Sequence, residues 1–179
     1  MSTTRILIAG FGGQGVLFAG KFLAYKGLIE ERQVSWLPSY GPEMRGGTAN
    51  CNVILSDDPI GSPIVNKPDV LIAMNKPSLE KFVGDVVPGG MILIDSTMID
   101  VKVERDDVTV YYVPASKLAG DAGFSTLANM ILVGKLLSKV DDKGMGNVEE
   151  ILKHVIPARK MDLLGINKQA IQTGYDYED

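Results

Sequence analysis

Cysteine and histidine are nearly absent from this chain: Cys51 and His154 are each the only residue of their kind among 179. A lone thiol cannot close an internal disulfide, and its isolation fits a reducing compartment. Iron–sulfur clusters usually need four Cys ligands and zinc sites three or four Cys or His ligands. One of each, far apart in sequence, supplies neither, so no metal centre is expected on this chain. Positive charge is also scarce. The formal net charge is −4 and no long Lys/Arg run appears, which argues against a general nucleic-acid binder. Long apolar runs are missing too. No segment approaches the roughly 20 apolar residues of a membrane span, and the apolar stretch at 5–9 is too short for a signal peptide. A protein internal to the cell, with no membrane span and a cytoplasmic location, is the expectation.

What is present is ordinary globular composition, with 45% hydrophobic and 22% charged residues and a high count of 20 glycines. The length suits one domain over residues 1–179. Apolar runs rich in β-branched residues predict strands at 5–9, 33–37 (stopped by Pro38), 48–56, 69–74, 90–95 and 108–113. A helix is predicted from about Gln14, with Val16, Gly20, Leu23 and Ala24 on one face and Gly27 as its C-cap. Further helices are predicted at 78–83, 125–138 and 148–154. The tail from 160 to 179 reads as partly helical with a mobile acidic end. Strands alternating with helices imply an α/β, Rossmann-like domain, with a largely parallel sheet and helices on both faces.

Residues 10–15 (GFGGQG) match G-x-G-x-x-G after a strand and before a helix. Free N–H groups at such a helix start attract anions. A dinucleotide site further needs an acid at the end of the second strand. That strand ends Val34-Ser35-Trp36-Leu37-Pro38, while Glu30, Glu31 and Arg32 precede it, so NAD(P) is disfavoured. A different phosphate-bearing ligand or close strand–helix packing remain as readings of the loop. No Gly-Lys-Ser/Thr follows, which excludes a P-loop.

Residues 39–51 (SYGPEMRGGTANC) form the most distinctive segment. Arg45 beside Gly46 could offer its guanidinium fork to a carboxylate or phosphate, to Glu43, or to a partner protein. The first glycine loop, SYGPEMRGGT at 39–48, SDDPIGSP at 56–63, PDVLIAMN at 68–75 and ANMILVG at 128–134 together resemble the gamma subunit of 2-oxoacid:ferredoxin oxidoreductases. The likeness runs from about residue 5 to 139, and the YGPEMRGG wording is most similar to 2-oxoglutarate and branched-chain 2-oxoacid members.

That resemblance implies a complex that converts a 2-oxoacid and coenzyme A to acyl-CoA and CO₂, with electrons passing to ferredoxin. Alpha-, beta- and delta-type subunits would carry thiamine diphosphate, Mg²⁺ and iron–sulfur clusters. The gamma chain would serve assembly and the coenzyme A approach, and on its own could form a homodimer. Gly12, Gly13 and Gln14 are then candidates for a coenzyme A phosphate. Tyr40, Glu43, Arg45 and Gly46 are candidates for subunit docking or a substrate-proximal loop, with docking favoured because Tyr and Arg are enriched at interface centres. Asn75 follows a strand's carboxyl end, where it is either a ligand contact or a helix N-cap. Asn129 lies in a helical pattern and could bond a neighbouring loop. No residue qualifies as a catalytic base or nucleophile; Cys51 reads as an inward strand residue and His154 as structural or surface. The alternatives are a stand-alone nucleotide-binding reductase-type protein and an indolepyruvate-type oxidoreductase subunit.

Overall fold

The computed structural model describes residues 2–39, 48–140 and 144–178. In chain order the elements are β1 (Thr3–Phe11), α1 (Val16–Ile29), β2 (Gln33–Ser39), β3 (Thr48–Ser56), β4 (Val70–Ala73), α2 (Lys76–Phe82), β5 (Met91–Asp95), β6 (Thr109–Val113), α3 (Ala115–Asp121), α4 (Ala128–Val140), α5 (Val148–Val155) and α6 (Leu164–Asp176). Short 3₁₀ turns occupy Val83–Asp85 and Ala158–Leu163.

All six strands form one sheet in the order β2-β3-β1-β4-β5-β6. Pairings β1–β4, β4–β5 and β5–β6 are parallel, whereas β3 runs antiparallel to both β1 and β2. The expected largely parallel α/β sheet is therefore present, with a single reversed strand. The central strands are buried on both faces, so they read as unbroken apolar runs rather than as alternation. Ile6, Ile8, Ile72 and Leu93 point to a core shared with Phe22 of α1, Ile131 of α4, Ile151 of α5 and Ile171 of α6. Leu7, Leu71, Ile92 and Ile94 point the other way, against Leu79 of α2 and Ile99 of the β5–β6 connection. Helices do cover both faces, but unequally, and one short helix plus connecting chain closes the second.

Several local expectations need correction. Gly27 does not cap α1, which continues to Ile29. The chain leaves it through a Schellman arrangement: Arg32 N–H donates to Gly27 O (2.9 Å), Glu31 N–H donates to Leu28 O (3.0 Å), and Glu31 takes the left-handed position at φ 59°. Gly27 is there for room, since a Cβ would lie 2.6 Å from Leu55 Cδ2. Pro38 does not stop β2, which runs on to Ser39 because an edge strand tolerates a missing N–H. The short α3 was not anticipated. The acidic tail is held as far as Tyr177, whose carbonyl accepts from Lys135 Nζ at 2.8 Å. His154 is exposed and stacks on Tyr25, with ring centroids 5.7 Å apart. Cys51 is fully buried, and burial pushes its thiol up to about 12.

Candidate functional site at the carboxyl ends of the strands

The parallel strands β1 and β4 lie side by side, and chain leaves them in opposite lateral directions, toward β2 and β3 on one hand and β5 and β6 on the other. Such a switch point is where open α/β sheets place ligands. The glycine loop follows β1 here and Asn75 follows β4.

The loop is shaped by two glycines in left-handed backbone, Gly13 at φ 93° and Gly15 at φ 74°. Gln14 closes it: its main-chain N–H donates to Phe11 O, its Oε1 accepts from Phe11 N (2.6 Å) and its Nε2 donates to Met74 O (3.1 Å). One end of the Gln14 amide thus closes the β1 loop on itself, and the other ties it to the end of β4. Gly12 and Gly13 remain exposed, so their main chain is what a ligand would meet. The adjoining cleft, about 280 Å³, is walled chiefly by Phe11, Val16, Leu17 and Phe18, and among the described residues no Lys or Arg lines it. Arg32 is engaged at the other end of the sheet, donating to Ser2 O and Leu55 O and pairing with Asp57.

Gly15 caps α1 with no side-chain partner, and the first turn of α1 carries no acid. Asn129, at the start of α4, donates from Nδ2 to Gly15 O at 3.0 Å. A Cβ on Gly15 would strike that amide. The helix-borne Asn129 therefore does bond a neighbouring loop, and it fastens two helix starts together. Asn75 is 2% exposed and caps α2, accepting from Ser78 N–H at 2.8 Å. Of the two readings offered by the sequence, the capping one is what the geometry displays.

Tyr40, Glu43, Arg45 and Gly46 lie outside the described residues. The strands that flank them are described: Ser39 pairs with Asn50, and Thr48 pairs with Phe11. Ser39 and Thr48 therefore lie at the same end of the sheet as the glycine loop. Asp95 was missed by the sequence reading. It is fully buried at the end of β5, accepts from Thr97 N and Ser116 N (3.2 Å each), and takes the Ser116 hydroxyl at 2.5 Å. The only sequence sign was an acid ending an apolar strand. No group of three or more His, Cys, Asp or Glu that could hold a metal occurs among the described residues.

The model of the pyruvate ferredoxin/flavodoxin oxidoreductase family matches residues 5–177. The chain belongs to that family. It is 39% identical over 176 residues to the ketoisovalerate oxidoreductase subunit VorA of Methanothermobacter marburgensis, covering 97% of this chain and 36% of that one. This family member thus spans about a third of the length of that relative. It is 31% identical over 169 residues to the 2-oxoglutarate synthase subunit KorC of Methanocaldococcus jannaschii, covering 92% of this chain and 90% of that one. Among solved structures it superposes on the gamma subunit of a keto/oxoacid ferredoxin oxidoreductase from Geobacter sulfurreducens with a TM-score of 0.84, at 25% identity over 98% and 96% of the two chains. The gamma-subunit likeness read from the motifs stands, and these findings favour it over a stand-alone reductase. No helix among the described residues is long and apolar enough to cross a membrane.

Proposed function

We propose that this chain is the gamma component of a 2-oxoacid:ferredoxin oxidoreductase complex, which joins a 2-oxoacid and coenzyme A into acyl-CoA and CO₂ and passes electrons to ferredoxin. The observation that carries the reading is the family match over residues 5–177, beside similarity to nearly the whole of one relative and to about a third of a longer one. A segment that occurs both free and joined to further chain is suited to sitting against that chain in either arrangement. Alpha-, beta- and delta-type partners would hold thiamine diphosphate, Mg²⁺ and the clusters; one Cys and one His give this chain no ligand set for a cluster. The cytoplasm is the proposed compartment.

Within the complex this chain acts by shape. Its glycine loop and the ends of β2 and β3 lie at one end of the sheet, and Arg45 with Tyr40 supplies docking side chains. The coenzyme A approach runs past Gly12 and Gly13, whose main-chain N–H groups are the donors available to a phosphate. Affinity purification of this chain from its own cells, with a dye-reduction assay dependent on both 2-oxoacid and coenzyme A, tests the reading. Larger partners and activity are the expected recovery, with 2-oxoglutarate or a branched-chain 2-oxoacid preferred. A lone chain without partners or activity would overturn it. Arg45→Ala should lower recovery of partners more than turnover per assembled complex, and the opposite pattern would move Arg45 from docking to chemistry.

A further inference from the structure

The chain from the end of α5 into α6 carries large apolar side chains in the open. Every residue of 157–163 is exposed, and Met161, Leu163 and Ile166 are each 37% exposed. Single exposed apolar side chains are ordinary, but several together mark an interaction site. Behind this strap lies a cavity of about 410 Å³, bounded on its other sides by the starts of α1 and α4. Phe18, Leu127, Val155, Ile156 and Leu163 give it an apolar wall. Phe18 also walls the cleft beside the glycine loop, so the apolar surface continues from the strap to the carboxyl end of β1.

The charge around the cavity has one sign. Lys21 and Lys160 line it and no Asp or Glu does. Neither lysine has an ion pair among the described residues. On the strap Arg159 stands beside Lys160, against one acid, Asp162. The helices α1 and α4 begin at the cavity wall, where their partial positive charge gathers, and neither has an acid in its first turn. Exposed lysines elsewhere are matched by acids of this chain, as in Lys67–Asp85, Lys117–Asp121 and Lys153–Glu149. Here the carboxylates that would balance the cations have to come from another molecule, and the apolar wall calls for apolar side chains beside them.

We infer that this surface docks a partner subunit of the complex through an apolar segment flanked by Asp or Glu. The apolar side chains of that segment fill the cavity, and its carboxylates meet Lys21 and Lys160. The inference rests on the oxidoreductase reading for the existence of the partner, and on the strap and cavity for where the partner sits and what it carries. This surface is additional to the docking proposed for Tyr40 and Arg45.

Hydrogen exchange read by mass spectrometry, on the full chain alone and in the complex purified from its own cells, tests the inference. Peptides covering 126–130 and 156–166 should exchange about tenfold more slowly in the complex. Lys160→Glu, at an exposed position, should lower partner recovery about tenfold at low salt and less at high salt, because like charges would then face each other. Leu163→Ser should lower recovery at both salt concentrations. Lys102→Glu, exposed in the connection over the other face of the sheet, should leave recovery unchanged. Partners recovered while 156–166 still exchanges freely would overturn this inference and leave the oxidoreductase reading in place, as would Lys160→Glu recovering no less than Lys102→Glu. Slowed exchange in the chain alone that grows with its concentration would also overturn it, by giving the surface to a second copy. Wild-type chain recovered without partners would overturn both.

Discussion

Two groups of glycines in this chain look alike on paper and work by opposite physics. Gly13, in the loop after β1, has no heavy atom near the position a Cβ would take, but its φ of 93° is one that L side chains rarely adopt. Gly134 and Gly174 sit in the helices α4 and α6, where these helices cross. A Cβ on Gly134 would collide with the main-chain oxygen of Ile171, and one on Gly174 with that of Ile131. The first kind of glycine is required by its own backbone and the second by its neighbour's. A glycine that leaves open space around it can serve a visitor, whereas one pressed against a helix is already fully used.

The largest effect expected from breaking this contrast is at the crossing. Gly134→Ala or Gly174→Ala forces two backbones apart, and either should lower unfolding free energy by about 3 kcal/mol or more, beyond the usual range for overpacking because main chain cannot turn aside. Urea denaturation followed by circular dichroism reads this directly, and a midpoint within error of the wild type would show that the helices separate freely. Gly13→Ala should cost about 1–2 kcal/mol, the penalty of a left-handed backbone for an L residue, by the same measurement. Gly165 supplies the reverse case: it lies inside α6 with nothing within 4 Å of a Cβ. Gly165→Ala should therefore raise stability by roughly 0.5–1 kcal/mol, and a loss would mean that something packs there.

The smallest effect concerns how α6 is fastened to α5 by charge rather than by contact. Hydrogen bonds from Lys153 and then Lys168 hold the Glu149 carboxyl down to about 2 from an ordinary 4.5. A depressed carboxyl adds stability that is complete above its unfolded pKa and fades as pH falls through the folded one. Glu149→Gln should thus narrow the stability difference between pH 5 and pH 2 slightly, because the group is exposed and screened. An unchanged acid limb would show that these ion pairs contribute nothing.

Much of this architecture was legible in the residues. The six strands fall within a residue or two of the apolar runs, because strands buried on both faces need continuous Val, Ile and Leu. The reversal of β3 was not visible, since strand direction depends on a connection whose geometry the residues 40–47 do not spell out. Helix α3, seven residues with a glycine inside it, is too short to display periodicity. The sequence singled out Gln14 and Asn129 but could not say which way their amides turn. Gln14 spends both amide ends within the fold, while Asn129 spends one.

The α4–α6 crossing also bears on when the molecule can finish folding. Ten of the thirteen residues of α4 are buried, including Lys135. A helix so enclosed has no face ready for water until its cover is made. Asn129 reaches back 114 positions to Gly15, so one tie on the loop after β1, synthesised among the first residues, comes from a helix that waits in turn for residues 164–176. Contacts that join distant parts of a chain form slowly and leave apolar surface exposed meanwhile. A nascent chain stalled before α6 would be a substrate for chaperones or proteases, even with its sheet already assembled.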